Sequence, residues 1–169
     1  MNSPASASLT KTSVGIGQLV VSKDPAELLV AYGLGSCVGL AVFDPGPGVG
    51  GLVHVLLPES PNGKQGGTEP GRHADTAVDH LLERLAAIGA VRHRLIVKLA
   101  GGASVLGPAN ATRFKIGERN AEAITARLKA HGLRPHATAL GGTVGRTLEL
   151  HLGSGKTYVR TATSQASEL

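Results

Sequence analysis

The sequence predicts a single α+β domain, on three observations. Two segments carry apolar residues at helical spacing, a larger number of short apolar runs is bounded by Gly, Pro and Asp, and no internal repeat or coiled-coil heptad runs through the chain. A chain of 169 residues suits one domain and buries about 70% of its unfolded surface, so the core needs no staple.

Residues 1–12 are rich in Ala, Ser and Thr and read as a disordered arm; residues 162–169 read as a polar tail, leaving 13–161 as the folded domain. Residues 13–21 alternate loosely as a strand, Lys23 to Ala26 make a turn, and residues 27–32 form an apolar strand that enters the bend Gly33-Leu34-Gly35-Ser36. Two apolar runs follow, 38–43 and 49–57, broken by Asp44-Pro45-Gly46-Pro47-Gly48, which is hairpin chemistry. Residues 59–72 are rich in Gly, Pro and polar side chains, and a loop of that length next to a strand suits a lid or a substrate-binding segment. From 73 to 88 the positions Ala74, Ala77, Val78, Leu81, Leu82, Leu85 and Ile88 make one helical stripe with Gly89 as its stop; Asp75 lies in the first turn, where a carboxylate favours the helix dipole. Residues 94–100 read as a buried strand ending at Gly101-Gly102, a turn or a wall of a site. A second helix spans 117–131, and strands follow at 136–140, 146–152 and 157–161.

The hairpin holds the only cysteine, Cys37, at its entrance, and one histidine, His54, on its second strand. A two-residue turn places Cys37 directly opposite His54. A four-residue turn pairs Asp44 with Val49 and places His54 opposite Gly39, two residues along the same face from Cys37. Both registers put thiol and imidazole on one side, at roughly 5 Å or 7–8 Å between backbones, and only the register between them separates the pair. Gly39, Gly50 and Gly51 leave room beside it for a substrate to approach. A free thiol is only about 3% thiolate at pH 7, and an imidazole that takes its proton raises its reactivity. Spacing alone also allows a buried cysteine and a strand histidine with no chemical role.

At these residues the sequence also resembles a known family. Leu34-Gly35-Ser36-Cys37-Val38 and the run Gly50-Gly51…His54…Leu57-Pro58 are similar to the chemoreceptor glutamine deamidases of bacterial chemotaxis, the CheD family. The likeness continues through Ile16-Gly17, Ala74-Asp75-Thr76-Ala77, Lys98 to Ser104, Ile116-Gly117-Glu118-Arg119-Asn120 and Gly141-Gly142, in consistent order over about residues 13–160. The resemblance implies a layered α/β/β/α fold with mixed sheets, akin to the catalytic domain of cytotoxic necrotizing factor toxins. It implies a nucleophile at Cys37 and a base at His54 that hydrolyse glutamine side chains on chemotaxis receptors, with the receptors' cytoplasmic domains as substrate partners and a CheC-type phosphatase as a further partner. The family's third member, a threonine that orients the histidine, falls on Ala31 here. Alanine has no side-chain hydrogen bond to offer, which leaves the orienting role to Tyr32, Ser36, Ser104 or a backbone carbonyl. Two other readings stay open: a weakened or inactive binding module, and another cysteine acyl hydrolase working on a different acyl group.

Composition narrows the remaining classes. The net charge of +5 is spread along the chain and aromatics make up 2%, so neither a basic cluster nor stacking platforms for nucleic acid exist. One cysteine excludes an internal disulfide and fits a reducing cytoplasm. The first twelve residues hold no signal-peptide core and no run reaches a membrane-spanning length, so a soluble cytoplasmic protein without membrane insertion is expected. Gly155-Lys156-Thr157 looks like the end of a P-loop, but the pattern needs glycine where Leu150 stands. No HExxH or zinc-finger spacing occurs, and His73 and His80 are too far apart on their helix to chelate without a third ligand; no cofactor and no metal are expected.

Overall fold

The computed structural model describes residues 8–63, 68–105 and 115–169. In chain order the strands are β1 (Thr10–Ser13), β2 (Leu19–Ser22), β3 (Glu27–Leu34), β4 (Val38–Asp44), β5 (Val49–Val55), β6 (Ile96–Gly101), β7 (Ala137–Leu140), β8 (Arg146–His151), β9 (Thr157–Thr161) and β10 (Ser167–Glu168). Helix α1 (Ala74–Ala87) lies between β5 and β6, and helix α2 (Ile116–Ala130) between β6 and β7. The strands form two sheets, ordered β2-β5-β4-β6-β7 and β1-β3-β8-β9-β10. Each is mixed: β6–β7 and β1–β3 run parallel, and the other neighbours run antiparallel.

The first sheet is central. Every residue of β4 and β5 is buried, as expected of strands covered on both faces. Val38, Leu40 and Val42 pack against Ala77, Val78, Leu81 and Leu85 of α1 and Ile124 and Leu128 of α2, while Ala41, Phe43 and Leu52 pack against Leu29, Leu148 and Leu150 of the second sheet. Both helices therefore sit on the central sheet. The second helix layer implied by the family resemblance is not found among the described residues. The outer face of the second sheet is instead polar: Glu149 meets Arg160 across β8 and β9 at 3.4 Å, and the His151 and Tyr158 rings meet edge to face with centroids 5.1 Å apart. A face of that composition needs no helix to cover it.

Three expectations change at the chain ends and joints. Residues 13–21 are not one strand: the turn at Gly15 to Gln18, with Gly17 at φ 77°, carries the chain from β1 in the outer sheet to β2 in the central one. Thr10 to Thr12, expected in the arm, belong to β1. Their polar side chains, exposed at Thr10 and Lys11 and half-buried at Thr12, give no apolar pattern, and backbone pairing with Glu27 to Leu29 holds them. At the other end Ser167 and Glu168, expected in the tail, pair with Val159 and Tyr158, and Lys156 reaches Glu168 at 3.0 Å. At the base of the 59–72 loop a bridge joins its flanking residues Leu57 and His73, and the Asp75 carboxylate accepts from the Ser60 N–H and hydroxyl, tying the loop to the start of α1. Residues 64–67, at the centre of the expected lid, lie outside the described residues.

The hairpin that carries the site is locked from its turn. Asp44 pairs with Val49, Gly48 takes φ 69°, and the fully buried Asp44 carboxylate accepts from Gly46 N–H at 2.9 Å, Val91 N–H at 2.6 Å and the Arg94 guanidinium at 2.8 and 2.9 Å. The guanidinium hydrogen bonds hold its pKa down at about 2, against the opposing pull of burial. Arg94→Ala strips the charge partner from a buried carboxylate and is expected to cost about 2–3 kcal/mol, less than a fully buried pair because Arg94 is partly exposed. The sign of the pH effect follows. Above the ordinary Asp value the stabilisation is complete; below it the unfolded chain takes the proton first, so roughly 2 kcal/mol is lost between about pH 4 and pH 2. Urea melts of wild type and Arg94→Ala across that range check both statements.

Candidate active site

The observed register is the four-residue turn: Gly39 lies opposite His54, and Val38 opposite Val55 closes the ladder. Cys37 sits one residue before β4. Its side chain and that of His54, which shares the parity of Leu52 on β5, both turn toward the space between the sheets. Cys37 is 7% exposed and His54 2%.

The imidazole is fixed by the backbone. His54 Nδ1 lies 3.2 Å from the Val14 carbonyl, which can only accept, so Nδ1 carries the hydrogen and Nε2 the lone pair. Val14 is held in turn by its own N–H, which donates to the Val30 carbonyl at 2.8 Å, one residue before Ala31. Nε2 is buried and has no hydrogen-bond partner among the described residues. Of the orienting groups expected from sequence, Tyr32 is 42% exposed, Ser104 is exposed, and Ser36 contributes only its carbonyl, which faces α2. Among the described residues no hydroxyl of these three bonds His54.

Burial sets the protonation. It pushes the Cys37 thiol up, against the smaller pull of the Cys37 N–H, and it pushes the His54 imidazolium down, against the Val14 carbonyl. Both groups therefore rest neutral. The ready thiolate that a simple neighbour argument gives is outweighed by desolvation.

The loop before Cys37 is clamped from one side. Gly102 N–H donates to the Cys37 carbonyl at 2.8 Å, and Ala103 N–H to the Gly35 carbonyl at 2.7 Å. Behind that turn stands the first turn of α2, where a Cβ on Gly117 would fall 2.5 Å from the Gly102 carbonyl group. Gly101-Gly102 thus backs the Cys37 loop directly. The glycines expected to leave room for a substrate do otherwise: a Cβ on Gly39 would meet Leu148 at 2.9 Å, on Gly50 Leu152 at 2.7 Å, and on Gly51 Leu81 at 2.7 Å. Their missing side chains admit neighbouring core residues.

The sequence reading gives no role to two residues, although Asn120 stands in the run quoted for the family likeness. Val14 acts through its carbonyl, which no side-chain pattern reveals. Asn120, fully buried on α2, donates from Nδ2 to the carbonyls of Ser36 at 2.9 Å and Leu56 at 3.0 Å. The signal was a lone Asn between charged and apolar neighbours of an otherwise ordinary helix. Among the described residues no three His, Cys, Asp or Glu side chains are placed to hold a metal, and no helix is long and apolar enough to cross a membrane.

Fold and site together define an α+β domain with two mixed sheets and a buried thiol and imidazole sharing the space between them. The family model described as CheD chemotactic sensory transduction matches residues 56–161, and the chain belongs to that family. Curated relatives extend the likeness across the hairpin. One from Symbiobacterium thermophilum, named "Probable chemoreceptor glutamine deamidase CheD", is 46% identical over 93% of this chain and 96% of its own length. Relatives of the same name from Desulfitobacterium hafniense and Archaeoglobus fulgidus are 41% and 40% identical, over 88% and 87% of this chain and 92% and 90% of theirs. A solved structure of Neisseria meningitidis protein NMB0706, from the DUF152 family, matches with a TM-score of 0.40 and 10% identity, over 80% of this chain and 63% of that one, a likeness too weak to bear on function.

Proposed function

We propose that this protein deamidates glutamine side chains of chemotaxis receptors, with Cys37 as nucleophile and His54 as base. The observation that carries the reading is the imidazole itself: its Nδ1–H is spent on a carbonyl, and its basic Nε2 is buried without a partner among the described residues, on a side chain that shares the space between the sheets with Cys37. The names of the relatives supply the substrate class.

Because both groups rest neutral, the proton moves during attack. His54 Nε2 takes the thiol proton as Sγ bonds to the carboxamide carbon; the imidazolium then protonates the nitrogen, and ammonia leaves a thioester. Water, deprotonated by the same Nε2, adds to the thioester, and collapse gives glutamate and the free thiol. Among the described residues the Cys37 N–H donates to no other backbone group, which suits it to the oxyanion. The direct test is ammonia release from a receptor cytoplasmic fragment, with mass spectrometry for Gln to Glu conversion. A folded protein that binds the fragment and releases no ammonia would favour the binding-module reading.

Ala31→Thr tests the orienting group. The Val14 carbonyl already holds the tautomer and orientation that a threonine would supply, so turnover is expected to stay within about threefold of wild type, while extra atoms at a fully buried site cost about 1–3 kcal/mol of stability. A rise in kcat of about tenfold or more would show that the carbonyl does not do this job.

A further inference from the structure

We propose that Asn120 is a positioning residue for this reaction: its side-chain amide closes the open end of the β4–β5 ladder and so sets Cys37 against His54. The inference rests on the deamidase reading. The ladder ends at Val38 and Val55, and the next two residues, Cys37 and Leu56, are the ones whose alignment sets thiol against imidazole. Nothing in the sheet joins them. The Leu56 N–H is drawn away to the Arg72 carbonyl at 3.1 Å, and the Cys37 carbonyl to Gly102 N–H at 2.8 Å. Across this gap Asn120 Nδ2 spends both hydrogens, one on the Ser36 carbonyl and one on the Leu56 carbonyl. A single rigid group thus spaces the strand bearing the base from the peptide that precedes the nucleophile.

The same bond sets a direction. In a trans peptide the carbonyl and N–H point opposite ways, so drawing the Ser36 carbonyl toward α2 turns the Cys37 N–H away from the helix, toward the side on which His54 lies. Asn120 Oδ1, meanwhile, is buried with no partner among the described residues. An orphaned oxygen is a poor choice for a group whose task is packing alone.

The test uses the full chain with Asn120→Leu, which fills the space and cannot donate, and Asn120→Asp, which keeps the shape and replaces the donors by acceptors. On the receptor fragment both are expected to lower kcat by about 10- to 100-fold with KM within about threefold. Alkylation of Cys37 by iodoacetamide reads the alignment without any substrate. The wild-type rate is expected to fall when His54 is replaced by alanine, and in either Asn120 background that His54 dependence should vanish, the mark of two residues acting as a unit. Melting temperatures taken alongside separate this from unfolding. A lower Tm with kcat and the His54 dependence of alkylation both within twofold of wild type would make Asn120 a purely structural residue and overturn the proposal. If wild type releases no ammonia, the deamidase reading fails on that result alone, and the alkylation comparison still decides whether Asn120 couples thiol to imidazole.

Discussion

Cys37→Ala abolishes ammonia release, with a loss expected at about 10⁴-fold or more, because removing a nucleophile takes away the covalent route and leaves only binding and oxyanion contacts. Cys37→Ser is expected to fall nearly as far. A serine hydroxyl is a much weaker acid than a thiol, and the base that serves it is itself made reluctant by burial. His54→Ala joins them, since it removes the group proposed to take the thiol proton and return it to the leaving nitrogen. All three should remain folded. Cys37 contributes one small side chain to an apolar cluster that includes Leu29, Leu34, Leu52, Leu148 and Leu150, so losing its sulfur costs of the order of 1 kcal/mol. Activity of Cys37→Ala within tenfold of wild type would remove the thiol from the mechanism. Receptor-fragment binding retained by all three variants would separate chemistry from recognition.

The features legible in the sequence are local ones. The stripe from Ala74 to Leu85 gave α1 to within a residue or two, because a helix face repeats every few positions and Gly89 ends it. Asp44 to Gly48 gave the hairpin and left two permitted registers, both with Cys37 and His54 on one side, of which the turn geometry selects the four-residue form. The glycine-rich link at 101–102 reads in the sequence as a turn or a wall of a site, and it holds the loop that carries Cys37. Other features depend on residues far apart in sequence. Val14 reaches His54 across 40 positions, Arg94 reaches Asp44 across 50, and Asn120 reaches Ser36 across 84. None of these leaves a periodic trace. Backbone acceptors are the extreme case: any residue has a carbonyl, so the Val14 carbonyl that meets the His54 ring is not visible in a side-chain alphabet. The strands β1 and β10 were missed for a related reason, since edge strands with exposed polar side chains are held by backbone pairing rather than by an apolar pattern.

Gly101→Ala is expected to be the most damaging substitution outside the reacting pair. Gly101 closes β6 at φ 113°, a conformation that L side chains rarely adopt, and a Cβ there would lie 2.2 Å from the Cys37 carbonyl oxygen. The backbone strain alone costs about 1–3 kcal/mol, and the clash adds about as much, so a loss of roughly 2–6 kcal/mol is expected. Gly132→Ala serves as the control. That residue also has positive φ, 73°, but nothing lies within 4 Å of its Cβ position and it follows α2 away from the site, so it reports strain without collision. The activity of Gly101→Ala should fall beyond what its stability explains. Relief of the clash moves the Cys37 carbonyl and breaks the 2.8 Å bond from Gly102, and a displacement of about 1 Å at a nucleophile is worth about 100-fold in rate. Assayed well below its own melting temperature, Gly101→Ala is therefore expected to lose kcat while Gly132→Ala retains it. Equal kcat in the two variants would mean that the turn supports the fold and leaves the thiol where it was.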